Sequence, residues 1–207
     1  MPPSESASLW QRLKASGLSD RWLADSGALV PLTALAHGSS LGVPAAELRG
    51  RSVLLATADQ LPAALALIEL DGVARRIVLC PPDLPPEHLS AVAGTAEAEA
   101  VVTDQPRPEL RRLFVIPAQT GIHGPDARAA DNRVPACAGM TTETEWVLLT
   151  SDTTGAPKLV AHTLASLAGA IARTGALGTG AVWSTFYDKN ELWLFLRGLV
   201  ALGNSLG

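Results

Sequence analysis

Residues 51–104 alternate between two hydrophobic patterns, and that alternation constrains the fold more than any other feature. "RSVLLATA" (51–58) is a short apolar run after Gly50, as expected of a buried strand. "LPAALALIELDG" (61–72) reads as a helix, with Pro62 tolerated in its first turn and Gly72 past its end. A second apolar run, "ARRIVLCPPD" (74–83), is stopped by two prolines. A second helix over 84–97 and a third strand over 98–104 complete the series. Strand, helix, strand, helix, strand is the βαβ pattern of an α/β fold, with parallel sheet layers covered by helices.

The flanks are less regular. Leu9, Leu13, Leu18 and Trp22 recur near helical spacing, which predicts a weakly amphipathic helix over 5–25. Downstream, a strand over 146–150, a loop over 151–158 and a helix from about 160 to 173 are expected, then a strand over 181–188 and a helix over 191–203. The expected organisation is an N-terminal helical segment (1–45), a βαβ subdomain (46–114), an irregular insert (115–142) and a truncated final part (143–207) that opens on the strand and its loop. The 207 residues, 47% hydrophobic, suffice for one or two α/β domains. Net charge is −4 without blocks of like charge, which gives no reason to expect nucleic acid as a partner. Every long apolar run is broken by Arg, Glu or Gly, so no membrane span is expected. The first residues lack the apolar core of a secretory signal, and Cys80 and Cys137 lie far apart. Free thiols in a cytoplasmic protein are the expectation, although the two could pair.

The segment 115–142 carries an unusual symmetry. Val115–Gln119 (VIPAQ) can be encoded GTC ATC CCG GCG CAG. The reverse complement, read one base in, encodes Cys-Ala-Gly-Met-Thr, which is residues 137–141. Gly121 continues the pairing with Pro135, and Thr120 against Ala136 needs one mismatched base. The peptide resembles a translated inverted repeat, an insertion rather than a loop selected to pack here; a surface linker is the alternative. Proteolysis is expected to cut there first, after Arg128 or Arg133.

The loop "TSDTTGAPK" (150–158) carries the chemistry. Backbone N–H groups of a Gly-containing turn, hydroxyls and a lysine together suit phosphate. The loop is not a Walker A motif, because one glycine precedes the lysine by three residues. On composition alone it could equally be a plain turn between strand and helix.

The order of residues goes further. It resembles the phosphate-binding signature Thr-Ser-Gly-Thr-Thr-Gly-x-Pro-Lys of adenylate-forming (AMP-binding) enzymes such as the acyl-CoA synthetases. Thr150, Ser151, Thr153, Thr154, Gly155, Pro157 and Lys158 match, and Asp152 stands where the family has glycine. The layout of 61–104 also loosely resembles the family's upstream stretch, ending in Thr103-Asp104. The resemblance implies the N-terminal part of that family's large domain, incomplete here, and a ligase that joins ATP and a carboxylic acid into an acyl-adenylate, then passes the acyl group to a thiol such as coenzyme A. It implies ATP and Mg²⁺ as cofactors and Ser151, Thr153, Thr154, Gly155 and Lys158 as phosphate-binding residues. It assigns no catalytic residue and no protein metal ligand.

Departures limit what is implied. Asp152 places a carboxylate beside phosphates, either as a defect or as a magnesium ligand. The family's Thr-His after the lysine is absent: Thr163 precedes Leu164, and His162 lies before it. Phe186 and Tyr187 fall where the family has an acyl-pocket segment, but they also suit a core. His37, His88 and His123 lack metal-ligand spacing, and Asp20 and Asp25 have no evident catalytic partner. The family's Thr-x-Glu motif, ribose-binding Asp, hinge and C-terminal lysine all follow this loop, and none occurs in these residues. The expectation is therefore an N-terminal ligase fragment, inactive alone, with a complementing C-terminal fragment as its partner. A non-catalytic nucleotide-binding or interaction module and a pseudogene product are the alternatives.

Overall fold

A computed structural model describes residues 7–15, 17–19, 21–123, 143–150 and 157–169. Among them are four α-helices: α1 (Leu9–Ala15), α2 (Gln60–Leu70), α3 (Pro86–Thr95) and α4 (Leu164–Gly169). Nine strands accompany them. β1 (Trp22–Ala24), β2 (Leu29–Pro31), β3 (Ser39–Leu41), β4 (Ser52–Leu55) and β5 (Arg76–Leu79) come first. β6 (Ala100–Thr103), β7 (Phe114–His123), β8 (Glu145–Thr150) and β9 (Lys158–His162) follow.

Seven strands form one sheet in the order β3-β7-β6-β4-β5-β8-β9. Its centre, from β7 to β8, is parallel, and β3 and β9 close the two sides antiparallel. The expected βαβ unit is present. β4 pairs with β5 through Val53↔Ile77 and Leu54↔Val78, and with β6 through Val53↔Ala100 and Leu54↔Val101.

Alternation along β4 explains why its apolar run is continuous. Val53 and Leu55 enter the cluster that holds Leu67, Ile68 and Leu70 of α2, while Leu54 points to the other face with Val78, Val101 and α3 residues Leu89 and Val92. Both faces of the central strands are covered, so no position on them can be polar without a partner. Ser52 is buried and donates its hydroxyl to the Ala96 carbonyl.

Three expectations are corrected. The helix expected over 5–25 ends at Ala15, and Trp22 lies in the β1–β2 hairpin. Gly17, at φ 85, takes a left-handed turn that stops the helix, and Asp25 Oδ1 accepts the Gly27 and Ala28 N–H groups to close the hairpin.

The segment expected to be irregular from 115 instead enters the sheet as β7. Ile116 is fully buried opposite Val102, and Leu41 then pairs with Ala118 and Ser39 with His123. Pro117 lacks an N–H but still joins the sheet through its carbonyl, which accepts the Gly42 N–H at 3.0 Å. Residues 124–142, with Arg128, Arg133 and Cys137, lie outside the described residues.

The third correction concerns 158–162. They form an antiparallel strand against β8, and α4 begins only at Leu164. Thr163 caps α4 reciprocally: the Ser166 N–H donates to Thr163 Oγ1 at 3.1 Å, and the Thr163 N–H donates to Ser166 Oγ at 3.0 Å. The expected elements over 181–188 and 191–203 lie outside the described residues. No helix among the described residues is long and apolar enough to cross a membrane.

Candidate phosphate-loop site

β8 runs parallel to β5 from Arg76↔Glu145 to Leu79↔Leu148 and then continues through Leu149 and Thr150, which pair with β9. It therefore overshoots its inner neighbour at the carboxyl end. That end of a parallel sheet is where open α/β folds bind ligands.

The strand is held firmly at its start. Trp146 is fully buried, and its indole Nε1–H donates to Asp71 Oδ1 at 2.9 Å. Glu145 Oε2 accepts from Arg76 Nε at 2.8 Å and pairs with Nη2 at 2.7 Å. The Glu145 amide donates to the Arg75 carbonyl at 2.9 Å.

Both ends of the candidate loop are fixed by the hairpin. Thr150 pairs with Lys158, and its hydroxyl donates to the Lys158 carbonyl at 3.4 Å. Pro157 is half-buried and Lys158 exposed. Ser151, Asp152, Thr153, Thr154 and Gly155 lie outside the described residues. Of the expected phosphate ligands, the structure positions Lys158, the first residue of β9. Among the described residues, β9 rather than a helix follows the loop, and α4 begins at Leu164.

His162 is paired with Trp146, at the other end of the hairpin from the loop. Four residues of strand place it roughly 13 Å along β9 from Lys158, out of reach of a phosphate held there. Asp25 is occupied in the β1–β2 turn, and Asp20 lies outside the described residues. His37, His88 and His123 sit in separate elements, and no group of three His, Cys, Asp or Glu side chains among the described residues could hold a metal.

Sequence reasoning gave no role to three hydrogen-bonded carboxylates, of which Asp71 is buried and Glu69 and Asp104 are half-buried. Asp104 bridges the ends of β4 and β6: its Oδ1 accepts the Ala58 N–H at 2.7 Å, and its Oδ2 accepts the Asp59 N–H at 2.9 Å. The connections of β4 and β6 leave in opposite directions, toward β5 and β7, which makes this the switch point of the sheet. There the Ala58 and Asp59 N–H groups are taken by the protein's own carboxylate. The Thr-Asp that ends β6 was a visible signal, but its partners lie 45 and 46 residues away in sequence.

Glu69 accepts the hydroxyls of Ser39 and Ser40 and the Ser40 N–H, tying β3 to α2. Burial pushes its carboxyl above the usual range, against the pull of those bonds. Asp71, 5% exposed, accepts from Leu9 and Trp146, and burial likewise raises its carboxyl.

No family model and no curated protein matches the sequence. Solved structures do match the fold. A crystal structure of VinN is similar with a TM-score of 0.67 at 16% identity, over 96% of this chain and 55% of that one. The o-succinylbenzoate CoA synthetase MenE from Bacillus subtilis, in complex with the acyl-adenylate intermediate OSB-AMP, is similar with a TM-score of 0.63 at 16% identity, over 95% and 53%. The inhibitor-bound N-terminal domain of FACL13 from Mycobacterium tuberculosis gives a TM-score of 0.61 at 15% identity, over 96% and 55%. This chain thus spans about half the length of the chains it matches. Its seven-stranded sheet, parallel at the centre and closed at one side by the β8–β9 hairpin, has the fold of the N-terminal part of adenylate-forming enzymes.

Proposed function

We propose that the chain is the N-terminal part of an ATP-dependent ligase that activates a carboxylic acid, with residues 150–158 handling the outer phosphates of ATP. The observation that supports this most is the position of the motif. The sequence Thr150-Ser151-Asp152-Thr153-Thr154-Gly155-Ala156-Pro157-Lys158 leaves the carboxyl end of a parallel strand, within a sheet shared with adenylate-forming enzymes.

In the proposed reaction a carboxylate oxygen attacks the α-phosphorus of ATP. The bond from the α-phosphorus to the bridging oxygen breaks, and pyrophosphate leaves with the electron pair. Positioning and charge compensation are the main contributions a protein can make to such a step. Ser151, Thr153 and Thr154 would donate hydrogen bonds to the departing phosphates, Gly155 would allow close backbone approach, and Lys158 would offset negative charge. Magnesium, carried by the nucleotide, would supply further charge neutralisation. Transfer to coenzyme A belongs to the same reading.

The remainder of the ligase fold, on this polypeptide or another, is required for turnover in this proposal. Acid-dependent ATP–pyrophosphate exchange by the 207-residue chain is therefore expected to stay at background with a panel of carboxylic acids. Robust exchange would contradict the half-ligase reading. Asp152, in place of the family's glycine, favours a second reading in which the chain binds nucleotide without turning it over. ATP binding that persists when the missing half is supplied and exchange still fails would select it.

A further inference from the structure

Asp71 is a buried carboxylate for which the phosphate chemistry has no use. It follows the last residue of α2, and its hydrogen bonds are those of an ionised group. The Trp146 indole N–H, in β8, donates to Oδ1 at 2.9 Å, and the Leu9 N–H, first of α1, donates to Oδ2 at 2.7 Å. Each oxygen accepts from an N–H, as a carboxylate does.

Asp71 also opens the turn that holds the start of β8. The Gly72 N–H donates to Thr144 Oγ1 at 2.8 Å, and that hydroxyl donates to the Ala74 carbonyl at 2.8 Å. The Glu145 N–H donates to the Arg75 carbonyl, and Arg76 Nε donates to Glu145 Oε2. Thr144, Glu145 and Trp146 are thereby all tied to residues 71–76.

The rest of β8 does not fix its own register. Trp146 and Leu148 belong to the cluster on the α2 face, and Val147 and Leu149 to the cluster on the α3 face. Both faces are apolar, so a slip along β5 exchanges one buried apolar contact for another. A slip of two residues keeps every side chain on its own face and moves Thr150, the last residue of β8, by about 7 Å. Polar groups satisfied in one register only are what exclude such slips. Thr144 meets backbone groups, which recur along a strand, and the Glu145 side chain is 46% exposed where it meets Arg76. The bond from Trp146 to Asp71 is buried, and it joins two side chains that have no substitute nearby in the sequence.

We propose that Asp71 is a positioning residue for the candidate phosphate loop: its buried carboxylate fixes the register of β8 on β5 through the Trp146 indole, and so sets how far beyond β5 the strand carries Thr150 and the residues after it. The consequence for nucleotide rests on the reading of residues 150–158 given above; the register does not.

NMR on the full chain reads the register, through interstrand contacts such as Val78 with Val147. Protection of Lys158 by ATP·Mg²⁺ against an amine-acylating reagent reads the consequence. Asp71→Asn keeps the volume but leaves one N–H donor without its acceptor, and Trp146→Phe keeps most of the ring but removes the indole donor. In folded protein, both are expected to replace part of the Val78–Val147 contact with a shifted set. Both are also expected to raise the ATP concentration that half-protects Lys158 by about 10-fold. The double variant is expected to be no worse than Asp71→Asn, because both changes act through one bond. Leu61→Ala, in the separate cluster under the β1–β2 hairpin, is the control: it lowers stability and is expected to move neither reading, as a merely structural Asp71 would also behave. If Asp71→Asn fails to fold, Trp146→Phe decides. Parental contacts between β5 and β8 in the folded variants, or a shifted register with unchanged protection, would overturn the proposal. If ATP fails to protect Lys158 in the parent chain, the nucleotide reading falls, and the interstrand contacts still decide whether Asp71 sets the register.

Discussion

Asp152→Gly is expected to strengthen binding of ATP·Mg²⁺ by roughly 5-fold to several-hundred-fold. The estimate is electrostatic. A carboxylate ~4 Å from a phosphate charge costs about 1 kcal/mol in water and about 4 kcal/mol at an effective dielectric of 20, and these energies convert to that range of affinity. Glycine also frees the turn to adopt φ > 0, which aspartate tolerates less well. The gain should be larger for ATP than for AMP if the loop faces the outer phosphates, and it should shrink as salt is raised if the site is open to solvent. Lys158→Ala should act in the opposite sense. Calorimetry on the four proteins of a double-mutant cycle measures each effect and their coupling. If Asp152→Gly instead weakens ATP in a manner that follows magnesium concentration, Asp152 is a metal ligand and its description as a defect falls.

Trp146→Ala should lower stability by about 3–5 kcal/mol, a large share of what a domain of this size has. Trp146 is fully buried in the cluster formed by α2, β4 and β5, and deletion of its ring leaves a cavity there. It also removes the indole donor from a buried carboxylate. Trp146→Phe separates these contributions: most of the volume stays, and the lost hydrogen bond to Asp71 should cost about 1–3 kcal/mol. Denaturant unfolding of both variants gives the comparison. Little or no loss in Trp146→Phe would mean that the ring alone matters and that the Asp71 contact contributes nothing.

The central sheet was legible in the sequence because its signals are local. Leu61–Ile68 and Val53–Leu55 are continuous apolar stretches bounded by Gly50, Gly72 and paired prolines, and such boundaries need no knowledge of distant contacts. β7 was not legible. Its Pro117 and Gly121 resemble a loop until β3 is known to lie beside it, and that partner is more than 70 residues away in sequence. β9 was misread for a related reason. Leu159–Val160–Ala161 suits a helix or a strand by composition, and the choice was made by the facing residues Val147–Leu149. At the candidate site the motif was readable as a linear string, and the resemblance came from the order of seven matching residues. Asp71 and Glu69 were invisible and Asp104 showed only as the Thr-Asp that ends β6, since a carboxylate's burial and partners depend on elements brought together only by folding.

Protection of Lys158 tests most directly whether the loop is a nucleotide site. Lys14, Lys158 and Lys189 are the lysines of the chain, and an amine-acylating reagent followed by mass spectrometry reports each separately. ATP and pyrophosphate are predicted to slow modification of Lys158, AMP to do so less, and none of the three to change Lys14. Lys158 modified at the same rate with and without saturating ATP would contradict the assignment of residues 150–158 to the outer phosphates.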